Sequence, residues 1–187
     1  GAGSLPIWEQ PLEDWHWTFN VNFWGVVHGI RAFMPRMLEQ GEEGHIVNTA
    51  SIAGLVSGAG LPIYGSSKHG VVRVSEALFG QLRGIDASIG VSVLCPGGVK
   101  TRIGVAERNR PDELGSGLSE EEIAAREEAW TARGAETGME PEDVAEIVFQ
   151  AIQDDQFWIV THPEYDEAIR TRADEILERR NPSPRAF

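Results

Sequence analysis

The chain has 187 residues, and its 16 basic and 29 acidic side chains give a formal net charge of −13. This length and the 41% hydrophobic content fit one globular domain and exclude a disordered chain. The negative charge opposes binding to nucleic acid or to a membrane surface. A single cysteine, Cys95, excludes an intrachain disulfide. We find neither a membrane-spanning run nor a signal peptide and therefore expect a cytoplasmic protein.

The first half of the chain alternates helical and strand patterns. Apolar residues recur at helical spacing over residues 11–38 and again over residues 62–83, where a proline opens the pattern. Short apolar runs predict buried strands over residues 45–49 and 90–95. A Gly-rich loop over residues 52–60 joins the first strand to the second helix.

The second half is more polar and continues the alternation. Its predicted elements are a mobile loop over residues 109–117, an acidic helix that begins at a capping box on Ser119, helices over residues 141–152 and 163–179, and a third strand over residues 157–160. Strands separated by helices form βαβ units. We therefore predict a single α/β domain over residues 1–187, with a parallel sheet covered on both faces.

Three polar side chains near the first strand suggest proton-transfer chemistry. Tyr64 and Lys68 stand four positions apart on a predicted helix and share one face of it. An ammonium close to a phenol lowers the tyrosine pKa from about 10, which suits a general acid/base. Ser51 follows the first strand, at the sheet edge where α/β proteins bind ligands. The plain alternatives are a chance spacing and a loop-capping serine.

The segment Pro96-Gly97-Gly98-Val99-Lys100-Thr101 follows the second strand at the same edge of the sheet. Its glycines permit a ligand to approach the backbone closely, although an ordinary turn has the same composition.

Taken in order, these motifs resemble the short-chain dehydrogenase/reductase family. They are Val21-Asn22-Phe23-Trp24-Gly25, Ile46-Val47-Asn48-Thr49-Ala50-Ser51, Tyr64-Gly65-Ser66-Ser67-Lys68 and the segment from Pro96 to Thr101. The thirteen-residue step from Ser51 to Tyr64 also fits. The resemblance implies a Rossmann-like, doubly wound sheet and hydride transfer between a nicotinamide cofactor and a secondary alcohol or ketone.

The resemblance also implies a role for each motif residue. The catalytic residues would be Asn22, Ser51, Tyr64 and Lys68, with Asn22 continuing a proton relay through water to Lys68. The cofactor, NAD or NADP, would be held by Tyr64, Lys68, Pro96, Gly97, Val99 and Thr101. Residues 102–138 would cover the substrate, whose pocket walls would be Ser51, Ala53, Gly98, Val105, Leu114, Leu118 and Met139.

The sequence departs from the family pattern upstream of Asn22. The family has a Gly-rich cofactor turn and about a hundred residues there, whereas this chain has 21 residues and no such turn. The chain therefore resembles the carboxyl-terminal two-thirds of a family member. Gly54, Gly58 and Gly60 reproduce the dinucleotide spacing, but Pro62 opens the next helix, so we interpret them as an active-site loop.

Other partners and functions follow from the same residues. The five histidines show no metal-ligand spacing, so we expect no metal site. The resemblance implies a homodimer or homotetramer assembled through the helices over residues 11–38 and 62–83. Three alternatives stay open: a sugar-nucleotide epimerase or dehydratase of the related extended family, a catalytically silent binding module, and a non-enzymatic scaffold.

Overall fold

A three-stranded parallel sheet lies at the centre of the computed structural model, which describes residues 5–56, 58, 60–115 and 119–183. The strands are Gly44–Thr49 (β1), Ile89–Cys95 (β2) and Trp158–Val160 (β3), in the order β1-β2-β3. Gly44 pairs with Ile89 and Val93 with Trp158. All three predicted strands are therefore confirmed to within a residue or two.

The helices connect and flank the strands. They are Leu12–Phe19 (α1), Gly25–Gln40 (α2), Pro62–Gly84 (α3), Glu120–Thr137 (α4), Pro141–Gln153 (α5) and Asp166–Leu177 (α6). The predicted capping box at the start of α4 is present, with the Ser119 and Glu122 side chains each accepting a hydrogen bond from the other's backbone.

The middle strand is buried on both faces, as a parallel sheet covered by helices requires. Val91, Val93 and Cys95 are fully buried against α2 and α3, and Ser92 is fully buried on the opposite face. On that face α5 contacts both β2 and β3. This packing holds the carboxyl ends of the strands, where the candidate residues lie, in fixed positions.

The helix predicted over residues 11–38 is interrupted. A π-helical segment, Asn20–Trp24, joins α1 to α2, and the Gly25 N–H bonds to the carbonyl of Asn20, five residues earlier. Periodicity does not reveal this because one extra residue per turn barely disturbs the apolar pattern. Single-turn π segments occur frequently at functional sites, and this one contains Asn22.

Two further predictions need correction. The described part of residues 109–117 is not an unstructured loop, because Asp112–Leu114 forms a 3-10 turn and Arg110 is buried in ion pairs with Asp14 and Glu107. The last helix begins later than predicted, since Pro163–Tyr165 forms a 3-10 turn before α6.

The outer edge of β1 is open. Among the described residues β1 pairs with β2 alone, and α2 and β1 border a cavity of about 580 Å³ that reaches Asn22 and Lys68. An open strand edge offers unpaired N–H and C=O groups to other chains.

We therefore expect residues 1–187, expressed as such, to associate or aggregate as their concentration rises. Sedimentation velocity over a range of concentrations measures this directly. A monomeric sample that melts cooperatively would contradict the expectation.

No helix in the described part of the chain is long and apolar enough to cross a membrane. Within the same residues, no group of three or more His, Cys, Asp or Glu side chains is arranged to hold a metal ion.

Candidate active site

The start of α3 positions two of the predicted residues. Leu61 caps the helix in the left-handed conformation and Pro62 occupies its first turn. Tyr64 and Lys68 follow on one face, with the Lys68 Nζ 5.7 Å from the centre of the Tyr64 ring. Lys68 is buried and donates a hydrogen bond of 2.9 Å to the carbonyl of Thr49, at the end of β1.

Ser51 lies at the same edge, immediately after β1. Its hydroxyl oxygen accepts a hydrogen bond from the backbone N–H of Ala53 at 3.2 Å and lies 3.4 Å from the carbonyl oxygen of Pro96. The backbone N–H of Ile52 also donates to Pro96, at 2.9 Å. The carboxyl ends of β1 and β2 are thus joined, and Ser51, Tyr64 and Lys68 lie together as the sequence predicted.

The pKa of Tyr64 departs from the sequence prediction. We expected Lys68 to lower it, but burial of the phenol raises the pKa above its usual value of 10, and the interaction with the Ser51 side chain is the one cause that lowers it. The lysine directs its ammonium to Thr49. The prediction was wrong because a four-residue spacing gives proximity but says nothing about burial.

The Ser51 interaction leads to a testable consequence. Because the interaction with the Ser51 side chain lowers the pKa of Tyr64, Ser51→Ala should raise that pKa further. Tyrosinate absorbance, recorded as a pH titration and corrected with a Tyr64→Phe variant, reports that pKa. The control is Ser66→Ala, which removes an exposed hydroxyl from the same helix and should leave the titration unchanged. An unshifted Tyr64 titration in Ser51→Ala would contradict this account.

Burial shifts the pKa of two groups beneath the site, Lys68 and Cys95. Desolvation lowers the pKa of Lys68, which an interaction with Cys95 partly offsets. Burial raises the pKa of the Cys95 thiol to about 12, so this cysteine is a core thiol rather than a nucleophile.

Asn22 is connected to the site through Ser67, a residue that the sequence did not lead us to predict. Its amide donates to the hydroxyl of Ser67 at 3.1 Å, and that hydroxyl donates to the carbonyl of Tyr64 at 2.7 Å. Ser67 is fully buried. The π-helical segment is therefore bonded to α3 near its start, and the Ser67 hydroxyl connects Asn22 to the backbone of Tyr64. The spacing could have indicated Ser67, because positions three and four after Tyr64 lie on the same face of a helix as Tyr64, and these positions are Ser67 and Lys68.

The segment from Gly97 to Thr101 is held by several backbone contacts. Met139 donates from its N–H to Gly98 at 2.9 Å and accepts from Lys100 at 3.0 Å, forming an isolated parallel bridge with Val99. Thr101 turns back to donate to Val99 at 2.7 Å. Among the predicted pocket residues, Gly98 and Met139 therefore lie together at the carboxyl end of β2.

The remaining predicted pocket residues lie on the segment that follows. Val105 is in a 3-10 stretch, Arg102–Asn109, and Leu114 is in the next 3-10 turn, whereas Leu118 lies outside the described residues. This segment is fastened to α1, because Arg110 pairs with Asp14 at 2.6 Å and its guanidinium lies 5.1 Å from the centre of the Trp17 ring.

Gly54, the first of the three glycines with dinucleotide spacing, has a packing role. A Cβ built on it would lie 2.8 Å from the carbonyl oxygen of Lys68. The 3-10 turn Ile52–Gly54 therefore packs directly on the backbone of α3, and Ala53 in this turn lies close to Gly65. These contacts support the interpretation of Gly54 as part of a loop beside Ser51 rather than of a dinucleotide turn.

We expect Gly54→Ala to destabilise the fold by about 1–3 kcal/mol, because two backbone segments must separate to admit the methyl group. The control is Gly80→Ala, an exposed position within α3 where a Cβ meets nothing within 4 Å and where alanine favours the helix. Chemical denaturation of both variants measures the difference. Equal stability of the two would contradict the packing argument.

Comparison with known proteins gives a consistent result. A family model described as short chain dehydrogenase matches residues 1–112. The CLA biosynthesis dehydrogenase/reductase of Lactiplantibacillus plantarum is 33% identical over 179 residues, which is 93% of this chain and 63% of that protein. The 1-deoxy-11-beta-hydroxypentalenate dehydrogenase of Streptomyces exfoliatus is 35% identical over 176 residues, covering 94% and 56%.

A solved structure agrees with these sequence relatives. The short chain dehydrogenase/reductase from Burkholderia phymatum, in complex with NAD, has a TM-score of 0.86 and 41% identity, covering 97% of this chain and 65% of that one. The chain thus spans between 56% and 65% of the length of these three proteins.

Proposed function

Because this chain belongs to the short-chain dehydrogenase/reductase family, we propose that it carries the catalytic residues of an NAD(P)-dependent oxidoreductase. The reaction is hydride transfer between nicotinamide and a secondary alcohol or ketone. The observation that carries the proposal is the meeting of Ser51, after β1, with Tyr64 and Lys68, on α3, at the carboxyl edge of the sheet, where Ser51 and Lys68 are buried polar residues.

Tyr64 transfers the proton. In the reducing direction its hydroxyl donates to the carbonyl oxygen of the substrate as that carbon becomes an alcohol, and in the oxidising direction the phenolate accepts the proton back. Ser51 donates a hydrogen bond to the same oxygen and stabilises the charge that develops on it. The raised pKa of Tyr64 keeps the phenol protonated at neutral pH, which suits the reducing direction.

The residues present fit a nicotinamide cofactor. Lys68 lines the cavity of about 580 Å³ beside β1 and donates one N–H to the carbonyl of Thr49. Because an ammonium has three N–H donors, two remain for sugar hydroxyls of the cofactor. The backbone of Pro96 and Gly97 and the residues Val99 and Thr101 provide a binding edge. When bound, the cofactor supplies or accepts the hydride.

The substrate lies on the other side of Tyr64 in this proposal. Ala53, Gly98 and Met139 form the inner wall, next to Ser51, and the segment of residues 102–138 covers the entrance. The ion pair of Arg110 with Asp14 fastens this segment to α1, and a covering segment sequesters the reacting atoms from water when it closes.

The test is turnover by the full-length protein. Purified protein is supplied with NAD and with NADP, together with a panel of aliphatic, aryl and steroid-like secondary alcohols, and the reduced cofactor is followed by absorbance. We expect turnover of at least one alcohol. If no alcohol of the panel is converted with either cofactor, the protein is a catalytically silent binding module instead.

A further inference from the structure

A histidine outside the predicted site, His162, forms hydrogen bonds with the glycine segment after β2. His162 lies two positions after the last residue of β3 and is 4% exposed. Its Nδ1 accepts a hydrogen bond of 3.1 Å from the backbone N–H of Gly97, and its Nε2 lies 2.9 Å from the carbonyl oxygen of Gly98. The hydroxyl of Thr161 lies 2.6 Å from the same Nδ1. One imidazole ring therefore spans both glycines.

These contacts determine the form of the ring. A backbone N–H only donates, so Nδ1 must carry a lone pair toward Gly97, and a carbonyl only accepts, so Nε2 must carry the hydrogen toward Gly98. The neutral imidazole with its hydrogen on Nε2 is the form that satisfies both groups. The Thr161 hydroxyl supports it by donating to Nδ1.

Packing explains why the segment has a glycine at this place. A Cβ on Gly97 would lie 2.8 Å from His162 and 2.8 Å from the ring of Tyr165. The rings of His162 and Tyr165 pack edge to face, with their centres 6.4 Å apart. The carbonyl of Gly98 also accepts the N–H of Met139 at 2.9 Å, so both of its lone pairs are used and the peptide is fixed in orientation.

We propose that His162 is a positioning residue for the nicotinamide-binding edge: its Nδ1 accepts from Gly97 and its Nε2 donates to Gly98, which holds this backbone in place so that Val99 and Thr101 are presented to the cofactor. This inference rests on the proposed function. An ordered edge binds more tightly because less conformational entropy is lost on binding. The effect should fall on cofactor affinity more than on the chemical step.

The experiment compares His162→Leu, which keeps an apolar volume but neither hydrogen bond, with His162→Gln, whose amide again offers one acceptor and one donor. Each full-length variant is titrated with NADH and NADPH, and its kcat and KM values are measured. We expect His162→Leu to weaken cofactor binding by about tenfold, with a smaller change in kcat, and His162→Gln to recover most of the affinity. The control is His16→Leu, at an exposed position of α1.

A second measurement does not depend on a variant that folds. Imidazole nitrogen shifts of the wild-type protein, labelled with 15N-histidine and assigned to His162, should identify its ring as the neutral tautomer with hydrogen on Nε2. The proposal is overturned if folded His162→Leu binds the cofactor as wild type does, or if the ring assigned to His162 is in any other form. Failure of the wild type to bind either cofactor would instead overturn the proposed function, and this inference with it.

Discussion

Tyr64→Phe is expected to lower kcat by about 10²–10⁴-fold while leaving the fold intact, because it removes one hydroxyl that acts as the general acid and base. The phenol is half-buried, and phenylalanine keeps the ring in place beside Lys68. Steady-state kinetics of the full-length protein in both directions, together with its thermal unfolding curve, measure the two effects separately.

The matched control uses the other tyrosine. The chain has two, and Tyr165 packs against His162 through its ring, so Tyr165→Phe makes the same chemical change outside the reacting site. We expect kcat to change by no more than a small factor. Comparable losses in the two variants would show that Tyr64 acts through packing rather than through its proton.

Lys68→Met is expected to abolish measurable turnover and yet to leave the free energy of unfolding unchanged or higher by about 1 kcal/mol. The ammonium is buried and its pKa is lowered by desolvation, so the fold carries the cost of a charge that methionine does not have. The Thr49 carbonyl that loses its donor belongs to an exposed residue, where water can replace the lost bond. Lys68 therefore lowers the free energy of unfolding slightly, and we attribute its presence to function.

The control is the second lysine. Lys100 forms an ion pair with Glu140 on the surface, and surface pairs contribute about 0–1 kcal/mol, so Lys100→Met should change stability little. Chemical denaturation of both variants provides the comparison. A loss of several kcal/mol in Lys68→Met would show that the lysine stabilises the fold and would contradict the assignment of a functional cost.

The sequence predicted the α/β class, the family and the three strands, because apolar runs and helix-opening prolines are local signals. It also indicated that Ser51, Tyr64 and Lys68 lie near one another, since ligand sites of α/β proteins form at the carboxyl edge of the sheet. The family assignment and the fold class are confirmed by the comparisons. The roles of the individual residues stay predictions that the variants above address.

What the sequence did not predict depends on contacts between distant segments. The Asn22–Ser67 bond joins residues 45 positions apart and the Gly97–His162 bond joins residues 65 apart, so no local pattern contains them. Burial of Tyr64, which sets the direction of its pKa, likewise arises from the packing of the whole edge. The π-helical segment was not predicted because the spacing of its apolar residues differs little from that of an α-helix.

The most direct test of the central claim is a fluorescence titration of the full-length protein with NADH and NADPH, in which tryptophan emission is the reporter; residues 1–187 contain six tryptophans. The account predicts saturable quenching by at least one of the two, retained in Tyr64→Phe and weakened in Lys68→Met. Absence of saturable binding by either cofactor would contradict the assignment of this chain to a nicotinamide-dependent enzyme.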